Sequence, residues 1–139
     1  MRVLATFILS VTLCIGAACH AQDAKSLGMS QEAASHWLTL TDAENFAGSW
    51  DQAASAFQLA ITKSHWESAL KSVRSPLGRV KSRKLKSAVF TRSLPGAPDG
   101  EYVVIQYDTQ FENKASAVET LTPLREKDGA WKVSGYFIK

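Results

Sequence analysis

The sequence predicts an α+β domain, three N-terminal helices packed on a four-stranded antiparallel meander sheet, from three observations. Apolar residues recur at helical spacing as far as Gly78 and alternate after it. Clusters of turn residues (Pro95–Gly100, Asn113-Lys114, Asp128-Gly129) divide the alternating part into four runs. The connections are too short for parallel crossovers, so consecutive strands must run antiparallel.

Residues 1–21 have the three parts of an export signal. Arg2 supplies the positive start, Val3–Ala18 is largely apolar, and Cys19-His20-Ala21 places small residues at the two positions a signal peptidase reads. Cleavage after Ala21 is expected, leaving no membrane span and an exported, periplasmic protein. The alternative is a lipoprotein acylated at Cys19, against which Gly16 stands where such sites usually carry leucine. Both cysteines, Cys14 and Cys19, fall in this segment, so the remainder forms neither a disulfide nor a cysteine zinc site. Its stability must come from one core, which a chain of this size can supply by burying about two-thirds of its unfolded surface.

Gln22–Met29 reads as a short, polar, mobile leader, and residues 30–139 as the single domain. The first helix begins at Ser30 as N-cap, with Ala34, Trp37, Leu38 and Thr41 on one stripe. The second begins at Ser49, which has capping-box spacing to Gln52, and carries Trp50, Ala53, Ala54, Phe57 and Ile61 inward. The third begins at Ser64 with Glu67, buries Trp66, Leu70 and Val73, and ends near Ser75 because Pro76 disfavours helix before it. Strands are expected over Arg79–Ser93, through Val103–Phe111, over Ala115–Arg125 and over Trp131–Ile138.

Several segments resemble a bacterial family known only as a domain of unknown function, family 4019. They are Trp37-Leu38, Ser49-Trp50, Arg74-Ser75-Pro76-Leu77-Gly78, Leu94–Tyr102, Asn113-Lys114 and Trp131 through Gly135–Ile138. The Arg-x-Pro-Leu-Gly and Leu-Pro-Gly-Ala-Pro-Asp-Gly runs are the specific parts, and the resemblance covers about residues 31–138. It implies a small exported protein of cystatin-like or nuclear-transport-factor-like fold, whose curved sheet wraps helices into a cone. Phe46 stands where tyrosine is expected. No catalytic pattern comes with the family, so no functional residue is carried over, and fold alone confers no function.

The residues themselves offer three kinds of candidate. Asp108 with Tyr102, and Gln106 on the same strand face, could act as proton-transfer partners in a cone-shaped pocket, as relatives of that architecture use a carboxylate and a tyrosine. Trp37, Trp50, Arg74 and Tyr107 are candidates for lining a ligand site, set against core packing for the tryptophans and a helix-end charge for Arg74. Lys81, Arg83, Lys84 and Lys86 are candidates for partner binding on a basic strand. They belong to a stretch from Lys63 to Arg92 with nine basic residues and one acid, in a chain of formal net charge +3.

His36 and His65 lie in no triad or ligand spacing and read as surface histidines. No metal site, cofactor or nucleic-acid motif is expected. The leading expectation is an exported non-catalytic binding domain for a small ligand or an envelope protein. The alternatives are a small isomerase or dehydratase using the cone, and a structural partner docking through the basic edge strand. Oligomeric state is not legible.

Overall fold

The computed structural model describes residues 16–139, with side chains from His20 onward; the expected export signal lies, for residues 1–15, outside the described residues. Among the described residues four helices precede four strands: α1 Gly16–Asp42, α2 Phe46–Asp51, α3 Ser55–Ala60, α4 Lys63–Leu77, β1 Val80–Thr91, β2 Tyr102–Phe111, β3 Lys114–Arg125 and β4 Trp131–Ile138. The sheet is an antiparallel meander in the order β1-β2-β3-β4, as the turn spacing predicts.

The helices depart from expectation in three places. The first is already helical from Gly16, where the described residues begin, well before Ser30, so residues 22–29 are turns of α1 instead of a leader ahead of it. Buried Ser26 and Ser30 continue the stripe of Ala34, Leu38 and Thr41 back along the helix. Serine is invisible to a hydrophobic pattern, yet Ser30 Oγ donates to Leu27 O (2.9 Å) and so meets its own polar need.

The expected second helix is two. Asn45 caps α2, its side chain accepting from Gly48 N (2.9 Å), while Ser49 lies buried inside the helix. The chain then leaves helical geometry because Ala54 N donates to Val133 O of β4 (2.8 Å). Gln58 Nε2 bonds Trp50 O (3.0 Å) and Asp51 O (3.2 Å), closing the end of α2 from within α3.

Finally, α4 is capped by Thr62, not Ser64, and continues through Pro76 to Leu77. Asn113 of the β2–β3 hairpin satisfies its last carbonyls, with Nδ2 donating to Pro76 O (3.0 Å) and N to Leu77 O (2.9 Å). Gly78 closes the helix at φ 74°, where a Cβ would stand 2.8 Å from Glu112 Oε2.

The turn from α1 to α2 is a Schellman motif with an unusual residue. Glu44 N donates to Thr41 O (3.1 Å) and Asn45 N to Leu40 O (2.9 Å), while Glu44 itself sits at φ 58°. The helix layer and the inward face of the sheet share one core of Trp37, Leu38, Trp66, Leu70, Val103, Ile105, Leu121 and Val133. Trp37 stacks edge-on against Tyr136 (5.2 Å between centroids), and Phe57 stands perpendicular to Trp66 (4.8 Å). Ser49 joins the indoles: its carbonyl accepts from Trp37 Nε1 (2.8 Å), its Oγ from Trp66 Nε1 (2.9 Å).

Candidate functional site

Alternation puts Glu119 of β3 between Ala117 and Leu121 on the inward face, where it is 0 % exposed. A buried carboxylate survives only if donors replace water. Here Arg83 Nε (2.6 Å) and Nη2 (3.2 Å) donate to it, together with Thr109 Oγ1 (2.6 Å) and the hydroxyl of Tyr136. Arg83 also reaches the C-terminal residue of α1, with Nη1 2.8 Å from Asp42 Oδ2 and Nη2 3.0 Å from Oδ1. Asp42 in turn accepts from Arg74 Nη2 of α4 (2.8 Å), and Arg74 Nη1 continues to Thr41 Oγ1 (3.1 Å) and Tyr136 Oη (3.4 Å). The guanidinium lies over the Phe111 ring, 5.2 Å from its centroid.

The network therefore ties α1 and α4 to all four strands, and its two cations balance its two carboxylates. Burial pushes the Asp42 carboxyl up, but the bonds and charges of Arg83 and Arg74 outweigh it and hold it below the usual carboxylate range. Burial disfavours the Arg83 cation, and its bonds to Asp42 and Glu119 more than reverse that. Burial, and then the Glu119 charge, pushes the Tyr136 hydroxyl well above its ordinary value. Arg74 Nε alone is buried with no hydrogen-bond partner among the described residues.

The sequence candidates are dispersed by this architecture. Asp108 faces away from the core, 61 % exposed, with Lys86 Nζ 3.4 Å from it. Tyr102 is buried and donates its hydroxyl to Pro98 O (2.7 Å). Six residues of extended chain separate the two, about 20 Å, so no proton passes directly between them. Trp37 and Trp50 donate their indole N–H groups to Ser49 O and Ile61 O, and Trp37 is core. Tyr107 is half-buried on the core face. Of the basic strand candidates, Lys81, Lys84 and Lys86 are exposed, while Arg83 turns inward to the network. His36 and His65 are exposed.

Sequence reasoning missed Glu119, Thr109, Tyr136 and Asp42. The available signal was parity: a glutamate in register with Ala117 and Leu121 must be buried, and hence paired.

Three of the open clefts among the described residues lie against the site or the core. One of about 240 Å³ at the ends of α1 and α4 includes Thr41, Asp42, Arg74, Arg79 and Glu112. Another of about 340 Å³ lies between α1 and β4, with Glu32, His36, Trp131 and Lys132. An apolar groove of about 260 Å³ runs between α4 and β4, past Val73, Tyr136 and Phe137. Among the described residues, no three His, Cys, Asp or Glu side chains are placed to hold a metal ion, and no helix is long and apolar enough to cross a membrane.

Fold and network define a small α+β domain, a helix layer on a meander sheet, with an internal lattice of ion pairs between the layers. The model of a family of proteins of unknown function (DUF4019) matches residues 33–136, and the chain belongs to that family. No curated protein matches it.

Proposed function

We propose that this is an exported, non-catalytic binding domain that takes its partner at the surface. The observation that carries this reading is the state of Glu119. A base in the interior needs a carboxylate with a lone pair to offer substrate, and both oxygens of Glu119 are held by Arg83, Thr109 and Tyr136. The indoles and the ion pairs occupy the core between helices and sheet, and the clefts around it open to solvent, which leaves recognition to the outside. Export rests on the tripartite pattern of residues 1–21.

A second reading, a small polar ligand in the cleft beside Arg74, is favoured by one observation: the cleft is lined by charged side chains of both signs, Asp42, Arg74, Arg79 and Glu112. Native mass spectrometry of the protein released from the periplasm by osmotic shock, after brief in-cell crosslinking, separates the two. The surface reading expects a polypeptide adduct. A small molecule retained on the uncrosslinked monomer, with no polypeptide adduct, overturns it in favour of the cleft.

A further inference from the structure

The two edges of the sheet are treated differently by the chain. The β4 edge is partly closed by the protein itself, since Ala54 N in the α2–α3 link bonds Val133 O (2.8 Å) and α3 packs against this strand. Among the described residues, no such bond reaches the outer side of β1. Among the described residues its backbone bonds are those of the ladder with β2, and its outer row of N–H and C=O groups faces away from the fold. Twelve residues of strand make this edge about 40 Å long. An open edge of that length is a template for another strand.

Side chains on the same strand narrow what can pair with it. From Arg79 to Arg92 there are six basic residues (Arg79, Lys81, Arg83, Lys84, Lys86, Arg92) and no acid. Only Arg83 is neutralised inside the fold, and Lys86 has the exposed Asp108 nearby. A second copy laid antiparallel on β1 would bring base against base, and like charges facing each other across strands destabilise the pair. The lysines thus guard the edge against self-association. The same field draws in a segment of opposite sign.

The register shows where that segment would lie. β1 is bulged between Val80 and Ser82 and between Leu85 and Ser87, whereas Ser87–Thr91 pairs with β2 without interruption. This regular stretch, Ser-Ala-Val-Phe-Thr, carries no charge and leaves Val89 58 % exposed, with Leu85 50 % exposed just before it. Lys84 and Lys86 bracket it on one side and Arg92 on the other.

We infer that β1 binds an extended polypeptide segment by strand addition, pairing along Ser87–Thr91 with a short apolar, β-branched core whose flanks carry acids for Lys84, Lys86 and Arg92. Main-chain bonds give the affinity and the flanking charges give the specificity. This rests on the surface-binding reading and names its partner's chemistry.

The test uses the full domain and two synthetic ten-residue peptides with the same Val-Thr core, one flanked by glutamates and one by lysines. Fluorescence anisotropy should show the acidic peptide binding at least about tenfold tighter, weakening in high salt as surface charges are screened. The exposed triple variant Lys81→Glu/Lys84→Glu/Lys86→Glu should reverse that preference. Hydrogen exchange on the wild-type protein should show new protection confined to Ser87–Thr91, and N-methylation of alternate peptide amides should abolish binding. Equal binding of the N-methylated peptide would reduce the edge to a charged patch and overturn strand addition, as would equal affinity for both peptides or no binding of either. A native partner retained by the triple variant sinks this edge yet leaves the surface-binding reading standing.

Discussion

Ser49→Ala removes one oxygen and tests how the helix layer is held together. Ser49 Oγ is fully buried, accepts from Trp66 Nε1 (2.9 Å) and donates to Phe46 O (2.7 Å). Alanine keeps the helix and loses almost no volume, so the cost is that of an indole N–H left without an acceptor in a dry core, about 1–3 kcal/mol. Taking about 2 kcal/mol, and about 4 °C per kcal/mol for a domain of this size, Tm should fall by roughly 8 °C. The assay is urea and thermal unfolding by circular dichroism on four proteins: wild type, Ser49→Ala, Trp66→Phe and the double variant. Trp66→Phe already lacks the donor, so Ser49→Ala in that background should cost at least about 1 kcal/mol less than in the wild type. The reasoning is refuted if Ser49→Ala costs under about 0.5 kcal/mol, the range of an ordinary surface change, or costs the same in both backgrounds.

Arg83→Ala should be the most damaging single change in the network, at about 3–5 kcal/mol by urea denaturation, because it leaves the buried Glu119 carboxylate without its cation; a loss below 1 kcal/mol would mean the ion pair is not holding the sheet to α1. Asp42 has its folded pKa held below the unfolded value, so its contribution is present above about pH 4 and disappears as pH falls through the lowered folded value. Unfolding free energy should therefore drop less steeply from pH 5 to pH 2 in Asp42→Asn than in the wild type, and parallel curves would contradict the assignment. Glu44 occupies the left-handed C′ position of α1 at φ 58°; Glu44→Gly should stabilise by about 1 kcal/mol, read as a higher urea midpoint at unchanged m-value, whereas a lower midpoint would show that the glutamate side chain contributes there.

The sheet was more legible than the helices for a physical reason. Strand side chains alternate with a period that local composition displays, and the turn residues at Pro95–Gly100, Asn113-Lys114 and Asp128-Gly129 are chosen by backbone geometry within a few residues. Helix boundaries here answer to distant partners. The break after α2 follows from Ala54 N meeting Val133 O, and nothing near Ala54 announces it. The backward extension of α1 depends on serines that are buried only because the sheet lies beneath them.

By itself the chain determined its class, a helix layer followed by an antiparallel meander, and its family, through the rhythm of apolar residues and the Arg74–Gly78 and Leu94–Gly100 segments. Only the tertiary structure decided which charges are internal. Arg83 and Lys84 are neighbours of like sign in the sequence, but the pleat sends one inward to Glu119 and Asp42 and leaves the other outside. Pairing depends on which elements pack face to face, and Asp42, Arg74, Arg83 and Glu119 meet only when α1, α4, β1 and β3 have closed around them.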